Sequence, residues 1–280
     1  MRRARVSTMR YGICVTRASR LQVVQSVARS LGLLEALASP GELGLVELAA
    51  RAGLQPSTAH RLLSTLVGRG YVIQTADTGR YLLGYKVLEL ASFVNGRTAH
   101  LRALARPHLV SIQKITGETT NLTVLEGPQV VYIDQVEGSR SVRMFTQVGR
   151  AVPAHTSAAG KVILAFYASD LVEKLYAEEP LGQLTPRTLT TLNGLGDELA
   201  RIRRRGYAID NEEHEEGVSC VAAPIFDHEG GVRAAISVSG PAPRIHSADT
   251  AELGELLTTR TAEISRSLGF EPTAESAAAR

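Results

Sequence analysis

Residues 45–69 read LVELAARAGLQPSTAHRLLSTLVGR, and this stretch decides the fold of the N-terminal region. It predicts two short helices, at 45–52 and at about 56–69, with Gly53 in the tight turn between them. The spacing is typical of a helix-turn-helix, and Ser57 is expected to cap the second helix. The residues that fall where two such helices cross and pack are small or apolar: Leu48, Ala49, Ala52, Leu54, Ala59 and Leu62.

The outward face of the second helix carries hydrogen-bond donors and no acidic residue. Phosphate oxygens and base edges accept such donors, so this face is predicted to bind DNA. Two strand-like runs follow at 71–73 and 80–83, and Gly79 between them suits a hairpin turn, which predicts a wing. Arg80 is expected to contact backbone phosphate or the minor groove. The predicted DNA contacts are Ser57, Thr58, His60, Arg61, Ser64, Arg69 and Arg80.

Further helices are predicted on either side of this region. Apolar residues at a 3.6-residue period predict a helix at 26–37. After the wing we expect a linker helix at 85–100 that is broken at Asn95-Gly96. A helix at 101–115, bent at Pro107, is expected to follow it.

Charge is distributed unevenly along the chain, although the formal net charge is only +3. Residues 1–90 hold twelve Lys or Arg and five acidic residues, whereas residues 91–280 hold 19 basic and 23 acidic residues. A basic N-terminal part suits a polyanion such as DNA. Six of the twelve basic residues precede residue 21, so the prediction depends more on the arginines of the helix and wing than on bulk charge. A small helical domain that binds another protein is the alternative for residues 26–83.

The composition is that of a folded protein with about two domains. Of its 280 residues 44% are hydrophobic, and no apolar run approaches the roughly 18 residues that a membrane-spanning helix needs. Cys14 and Cys220 lie far apart and away from other metal ligands, which argues against disulfides or a zinc module and favours the cytoplasm. Residues 1–23 lack the apolar stretch of a secretory signal and are predicted to be a basic, disordered extension. Residues 271–280 are expected to form a disordered tail.

Residues 24–84 are therefore assigned to a DNA-binding domain, and residues 101–270 to a second domain in which strands and helices alternate. The order favours an antiparallel or mixed sheet flanked by helices, an α+β domain of the sensor type. Strands are predicted near 119–125, 129–136, 141–147, 207–210, 218–226 and 232–239. Helices are predicted near 157–168, 170–177, 197–205 and 247–268.

Residues 149–161 combine a loop with the start of a helix made of very small residues, including Ala158, Ala159 and Gly160. The free amide groups and positive dipole end of a helix start favour an anion, and small side chains let a ligand approach the backbone. This segment is a candidate site for a small carboxylate. Its spacing is not that of a nucleotide-binding P-loop. The alternative is a helix that simply packs tightly on the sheet.

Two further groups of polar residues are candidates for the same site. Asp210 ends a predicted strand, and strand ends commonly line binding sites. The acidic residues around His214 are expected to be solvated rather than to bind a metal. In the last strand Ser237 and Ser239 share a face with Arg233, which indicates that this face is at least partly wet. The serines therefore either line a shallow cleft or face solvent.

A catalytic site is the alternative to this binding site. His155, Cys220, Ser237 and Asp210 could form a nucleophilic set if they converged. The sequence has no nucleophile elbow of the Gly-x-Ser-x-Gly type, and neither Cys220 nor Ser237 has a base at a diagnostic spacing. Catalysis is therefore not expected, and Cys220 is interpreted as a small apolar residue of the pocket.

Several separate motifs resemble the IclR family of transcriptional regulators, in the same order along the chain. The N-terminal motifs resemble the family's winged helix-turn-helix: Ser26-Val27, Glu47-Leu48-Ala49, Gly53-Leu54, Ser57 to Leu63, Gly70-Tyr71 and Arg80 to Gly84. The C-terminal motifs resemble its effector domain: Gly149 to Ala165, Asp210 to Phe226 and Ala234 to Pro241. The resemblance covers about residues 24–270 and implies a GAF-like fold for the second domain.

The resemblance also implies a function. In such regulators a small organic acid binds between the loop-helix and the sheet, and it shifts the affinity of a dimer or tetramer, here expected to be a repressor of a metabolic operon, for a palindromic operator. Neither a cofactor nor a metal is implied. The alternatives are a constitutive DNA-binding protein with a structural second domain and an enzyme fused to a DNA-binding module. The implied effector contacts are the amides of Ala158 and Ala159, the side chains of Asp210, Ser237 and Ser239, the neighbourhood of Cys220, and an apolar wall of Val152 and Val218.

Overall fold

The protein forms two compact units, of which the first ends at Ala99 and the second begins at His100. The structure, a computed structural model, describes residues 23–39, 41–177, 180–247 and 250–271. Residues 1–22 of the predicted extension (1–23) and residues 272–280 of the predicted tail (271–280) lie outside the described residues.

The N-terminal unit consists of three helices followed by a β-hairpin. Its elements are α1 (Gln25–Leu37), α2 (Leu45–Arg51), α3 (Pro56–Gly68), β1 (Val72–Gln74) and β2 (Tyr81–Leu83). The two strands pair antiparallel, and Leu43 adds an isolated bridge to Tyr81. The prediction of a winged helix-turn-helix is confirmed.

Small side chains allow α2 and α3 to approach each other closely. Ala49 and Ala59 are buried in the same apolar cluster as Leu63. Gly53 lies in the turn at φ +64°, a left-handed conformation that residues with a Cβ rarely adopt. The Leu54 amide donates to the Ala49 carbonyl oxygen at 2.8 Å. The turn and the small residues together set the spacing of the two helices.

The prediction that Ser57 caps α3 is wrong. The cap position is Gln55, and Pro56 takes the first helical position, where its missing N–H leaves no helical hydrogen bond unmade. Ser57 therefore lies within the first turn, and its side chain is exposed.

One long helix, α4 (Tyr85–Thr116), follows the hairpin. The predicted break at Asn95-Gly96 is wrong, because a Gly costs only about 1 kcal/mol in a helix interior and many other residues support this helix. Pro107 also lies inside α4, and the bend expected there stays a prediction. Among the described residues, no helix combines the length and apolar composition that crossing a membrane requires.

The second unit is built on one sheet of six strands, in the order β5-β4-β3-β8-β7-β6, in which every neighbouring pair is antiparallel. The strands are β3 (Thr119–Glu126), β4 (Gln129–Val136), β5 (Ala151–Pro153), β6 (Ala208–Asn211), β7 (Val218–Phe226) and β8 (Val232–Pro241). The helices after α4 are α5 (Ala158–Leu164), α6 (Ser169–Leu175), α7 (Leu192–Arg205), α8 (Ala242–Ser247) and α9 (Thr250–Ser267), and a short 3₁₀ turn spans Ala154–Thr156.

Helices cover both faces of this sheet and create two apolar cores. Val162 of α5 and Leu199 of α7 pack with Ala235 on one face, whereas Leu257 of α9 packs with Ile236 on the other. Ala235 and Ile236 are adjacent in β8 and enter different cores because successive residues of a strand point to opposite faces. This arrangement confirms the predicted α+β, GAF-like fold.

The predicted strand at 141–147 is wrong, and β4 pairs with β5 instead. Side-chain hydrogen bonds hold this segment in place of a backbone ladder. The Thr119 hydroxyl donates to the Met144 carbonyl oxygen at 2.7 Å. The Thr146 hydroxyl donates to Asn121 Oδ1, also at 2.7 Å.

Two helix boundaries also differ from the prediction. α7 begins at Leu192 rather than at 197, because Thr191 accepts a hydrogen bond from the Gly194 amide at 3.1 Å and caps an earlier turn. The helix predicted at 247–268 corresponds to α9, which begins at Thr250, and α8 before it was not predicted.

The close contact between α5 and the 3₁₀ turn gives a testable prediction. A Cβ added to Gly160 would lie 2.1 Å from the Ala154 carbonyl oxygen, so Gly160→Ala should lower the free energy of unfolding by about 1–3 kcal/mol. Gly196→Ala is the matched control, because Gly196 is exposed in α7 and a Cβ there meets no atom within 4 Å. The control should gain up to about 1 kcal/mol. Chemical denaturation measures both, and equal changes would contradict the packing argument.

Candidate nucleic-acid interface and ligand site

The outward face of α3 is exposed and free of acidic side chains. The Arg61 guanidinium group makes no ion pair or hydrogen bond with any described residue, so it is available to an external partner. The Ser64 hydroxyl donates to the His60 carbonyl oxygen at 2.9 Å and leaves its lone pairs outward. Of the predicted DNA contacts, only Thr58 is half-buried, and the exposed ones are Ser57, His60, Arg61, Ser64, Arg69 and Arg80.

Arg80 lies on the wing, but its side chain turns toward the segment before α2. Nε and Nη2 donate to the Glu42 carbonyl oxygen at 3.2 and 3.1 Å, and Nη2 lies 3.8 Å from the Glu47 carboxylate. These contacts fix the wing to the start of the helix-turn-helix. About half of the side chain (46%) remains exposed, and its contact with DNA stays a prediction.

In the second unit, a buried polar cluster lies on the face of the sheet that α5 covers. Asn121 of β3 is directly opposite Ser237 of β8, and Cys220 of β7 is opposite Ser239. Asn121 Nδ2 lies 3.2 Å from Ser239 Oγ and 3.4 Å from Ser237 Oγ, and the Cys220 thiol donates to Ser239 Oγ at 3.1 Å. The register of β3, β7 and β8 thus brings an amide, two hydroxyls and a thiol together.

The prediction that this face is wet is wrong at the serines. Arg233 is exposed, but Ser237 and Ser239 are only 3% and 2% exposed, because α5 packs over the centre of β8. The alternative of solvent-facing serines is excluded for the same reason.

A second layer of hydrogen bonds supports Asn121. The Thr146 hydroxyl, 2% exposed, is bonded to both Asn121 Oδ1 and Gln135 Oε1. This orients the Asn121 amide so that its NH₂ group faces the serines. The segment after β4 therefore contacts the polar cluster directly.

Asp210 lies at the edge of the same cluster, opposite Cys220 in the β6–β7 pair, and is 2% exposed. One carboxylate oxygen accepts the Glu213 amide at 2.7 Å. Burial nevertheless raises the pKa of Asp210 to about 7. Burial, together with the nearby Asp210 carboxylate, also raises the pKa of the Cys220 thiol, so this sulfur is a neutral group of the site.

Lys161 joins α5 to the turn that carries Asp210. Its ammonium group donates to the Ile209 carbonyl oxygen at 2.8 Å and forms an ion pair with Glu213, and both side chains are buried. Glu212 adopts φ +61° in the same turn. The ion pair therefore fixes the position of Asp210 relative to α5.

The start of α5 faces this cluster. Ser157 caps the helix by accepting the Gly160 amide at 3.0 Å, which leaves the amides of Ala158 and Ala159 in the first turn, where no intrahelical acceptor exists. Val152 is buried and packs with both alanines. Val218 is half-buried at the start of β7 and does not belong to that apolar cluster.

The structure does not assemble the nucleophilic set considered from the sequence. Cys220 donates to Ser239, whereas His155 Nε2 lies 3.0 Å from the Gly182 carbonyl oxygen. Among the described residues, no hydrogen bond joins His155 to Cys220, Ser237 or Asp210. Burial lowers the pKa of His155.

His214 contacts a distant part of the chain, and the prediction that the acidic residues around it are solvated is wrong at Glu213, which is buried and paired with Lys161. Its Nδ1 lies 3.0 Å from the Thr156 hydroxyl, and burial lowers the pKa of the ring. Within the part of the chain that the structure describes, no group of three or more His, Cys, Asp or Glu side chains is placed to hold a metal ion.

Sequence reasoning missed Asn121, Gln135 and Thr146. The available signal was the amide side chain of Asn121 inside the strand predicted at 119–125, since such a group needs hydrogen-bond partners if it is buried. Thr146 gave no signal of its own, because it lies in the segment that was predicted to be a strand.

Comparison with known proteins covers both units. The profile of the IclR helix-turn-helix domain matches residues 26–76, and that of the bacterial transcriptional regulator IclR C-terminal domain matches residues 96–266. The chain belongs to the IclR family of transcriptional regulators. The family resemblance inferred from the motifs is thereby confirmed.

Individual IclR-family proteins match over most of the chain. The transcriptional repressor IclR of Escherichia coli is 38% identical over 250 residues, which cover 88% of this chain and 90% of that protein. The crystal structure of the Thermotoga maritima IclR has a TM-score of 0.72 and 37% identity, covering 89% and 100%. An IclR homologue of Microbacterium hydrocarbonoxydans in complex with 4-hydroxybenzoate has a TM-score of 0.72 and 28% identity, covering 87% and 98%.

The raised pKa of Asp210 predicts a pH dependence of stability. Between the ordinary pKa, 3.8, and about 7 the native state keeps a proton that the unfolded chain releases, so the free energy of unfolding falls as pH rises. Asp210→Asn removes this effect. The stability of the variant relative to the wild type should therefore grow by about 1.4 kcal/mol per pH unit in this window and level off above it.

Asp170→Asn provides the control for this measurement. Asp170 is exposed, and its hydrogen bond to Lys174 lowers the pKa of Asp170. Above about pH 5 it is ionised in both the native and the unfolded state, so its substitution should change stability by the same amount at every pH in that range. Denaturation curves at pH 4 to 8 test both variants. If the stability of each variant relative to the wild type depends on pH in the same way, the raised pKa does not belong to Asp210.

Proposed function

We propose that this IclR-family protein is a repressor that controls a metabolic operon in the cytoplasm and whose operator affinity is shifted by a small organic acid. The observation that carries the proposal is the buried cluster of Asn121, Ser237, Ser239 and Asp210 against the start of α5. A purely structural core would not need so many polar groups at one place, since buried polar groups contribute little to stability.

The chemistry of the cluster favours a carboxylate ligand. Two serine hydroxyls, the Asn121 amide and the first amides of α5 can all donate to carboxylate oxygens. Asp210, with its pKa raised to about 7, is partly protonated near neutral pH and can then donate as well. The complex of the Microbacterium relative with 4-hydroxybenzoate supports the same ligand class. The mechanism needs no resident cofactor.

Exposed apolar side chains on the N-terminal unit support a dimer. Val24, Val27 and Leu31 are 62%, 56% and 53% exposed along α1, and Tyr85 and Leu88 are 80% and 66% exposed at the start of α4. Apolar surface of this extent usually marks an interface. A two-fold dimer, alone or within a tetramer, presents two α3 helices and matches a palindromic operator.

Ligand and operator are coupled by thermodynamic reciprocity. If the acid binds one quaternary arrangement better than another, it changes operator affinity by the ratio of the two affinities. Operator binding must then change acid affinity by the same factor. The role of α3 in this scheme is recognition, and that of the buried cluster is to convert ligand binding into a shift of the equilibrium.

The recognition role of α3 predicts the effect of Arg61→Ala. Because Arg61 is exposed and has no partner among the described residues, the substitution should weaken binding to a duplex that the protein selects from a random-sequence pool by about 1–3 kcal/mol. Binding to an unrelated duplex should change less. Fluorescence anisotropy measures both.

Lys174→Ala is the control for the loss of one positive charge. Lys174 pairs with Asp170 in α6, in the other unit, so its removal should leave both affinities unchanged. If Arg61→Ala weakens the selected and unrelated duplexes equally, Arg61 contacts phosphate and does not specify sequence.

The ligand role predicts the behaviour of the double variant Ser237→Ala, Ser239→Ala. It should bind the selected duplex with wild-type affinity and lose the change in affinity that carboxylates cause, because two donors at the centre of the cluster are removed. Thermal shift with a panel of metabolic carboxylates, followed by anisotropy with the active one, measures this. A double variant that still responds would refute the site, and a wild type that responds to no acid would favour a constitutive DNA-binding protein.

A further inference from the structure

A cavity of about 600 Å³ lies at the end of the sheet that is opposite the polar cluster. The C-terminal end of α7, the turn between β7 and β8, and α9 line it. On β7, Cys220 belongs to the polar cluster and Phe226 lines the cavity. The two residues are six positions apart, which corresponds to about 20 Å of strand. A volume between about 300 and 1,000 Å³ is usual for a small organic ligand.

Aromatic rings form one wall of this cavity. Phe226 stacks on Phe270 with ring centroids 4.9 Å apart and meets Phe166 edge-on at 5.0 Å. All three side chains are only half-buried and line the cavity. A half-exposed set of rings offers a flat aromatic ligand both apolar area and stacking partners.

Backbone geometry holds this wall in place. Gly269 ends α9 at φ +86°, and the Phe270 amide donates back to the Ser265 carbonyl oxygen at 2.9 Å, which directs Phe270 onto Phe226. On the facing turn, the Asp227 carboxylate accepts the Gly231 amide at 3.0 Å. The rings are therefore positioned before any ligand arrives.

Four arginines line the same cavity, and they differ in their contacts. Arg203 donates to the Ala165 carbonyl oxygen at 2.8 Å, and Arg205 pairs with Glu198 at 2.8 Å. Arg204 is exposed and has neither a hydrogen bond nor an ion pair with any described residue. Arg204 is thus a cation with no internal role in the part of the chain that the structure describes.

The remaining charges keep the cavity positive. Arg266 uses only its Nε, which donates to the Ala262 carbonyl oxygen of its own helix at 3.3 Å. The acidic residues of the lining are Glu229 and Glu271. Because Glu198 neutralises Arg205, three arginines remain against these two carboxylates. Rings beside unneutralised guanidinium groups are the recognition chemistry of an aromatic anion.

We infer that this cavity is a second ligand site, distinct from the buried cluster, that binds a planar aromatic carboxylate. The rings of Phe226 and Phe270 take the aromatic face, and Arg204 and Arg266 take the carboxylate. This inference goes beyond the proposed function, because it needs neither DNA binding nor an occupied polar cluster.

Titration of the protein with 2-naphthoate tests the inference. The fluorescence of 2-naphthoate itself reports binding, and the chain contains no Trp whose emission would obscure it. The full-length wild type should bind saturably. The double variant Arg204→Gln, Arg266→Gln should lose affinity by about tenfold or more, because charge-assisted hydrogen bonds are lost while the rings remain. The neutral analogue 2-naphthylmethanol should bind the wild type more weakly by a similar factor.

Three further variants test whether the probe occupies this cavity or the proposed effector site. Ser237→Ala, Ser239→Ala should bind 2-naphthoate with wild-type affinity, and so should Lys174→Gln, which removes an exposed cation elsewhere. Phe270→Leu keeps an apolar side chain and should weaken binding severalfold by loss of the stacked ring.

The inference is overturned if the wild type shows no saturable binding, or if the arginine variant binds as tightly as the wild type. It is also overturned if affinity disappears in the serine variant, since the probe then occupies the buried cluster. The proposed function fails separately, if no carboxylate changes the operator affinity of the wild type. That result leaves the naphthoate titration unaffected.

Discussion

The buried ion pair between Lys161 and Glu213 is the interaction on which the ligand domain depends. Lys161 is 1% exposed and Glu213 is 7% exposed, so both charges have lost most of their hydration. Removing either partner would leave the other unpaired in the interior, at a cost of about 3–5 kcal/mol. Because Lys161 lies in the middle of α5 and Glu213 follows Asp210, the pair fixes the helix start and the carboxylate to each other. The position of Asp210 relative to the helix start follows from it, whereas the register of β3, β7 and β8 places the other polar groups.

The cluster itself consists almost wholly of neutral groups. Hydroxyls, an amide and an un-ionised thiol can be kept next to one another without mutual repulsion, and Asp210 approaches neutrality because its burial disfavours the charge. Under the proposed function, such a site selects a carboxylate by the number and direction of its donors. Protonation of Asp210 then links ligand affinity to pH, since the ionised form repels an anion.

Much of the fold followed from local sequence, and the differences have identifiable causes. The helix-turn-helix was predictable because Ala49, Gly53 and Ala59 satisfy a local steric requirement, and long strands such as β7 were predictable from continuous apolar runs. The segment at 141–147 was not, because its hydrogen bonds to β3 join residues more than twenty positions apart. The same holds for the burial of Ser237, which depends on α5 from another part of the chain.

The prediction of the candidate site was similarly divided. Asp210, Ser237 and Ser239 were candidates from the strand pattern as well as from the family motifs, and the structure brings them together. Asn121 became visible only through the register of β3 against β8, which no local pattern fixes. Arg80 shows the opposite case: its position on the wing was predictable, but its hydrogen bonds to Glu42 depend on tertiary packing.

The two outer strands of the large sheet are short, three residues in β5 and four in β6, and β5 ends in Pro153. Longer exposed strands would offer a continuous row of unpaired amides and carbonyls to another chain. Proline removes one donor from the β5 edge as well. The proposed oligomers are therefore expected to assemble through side chains rather than by extension of the sheet, and the short edges limit aggregation by strand pairing.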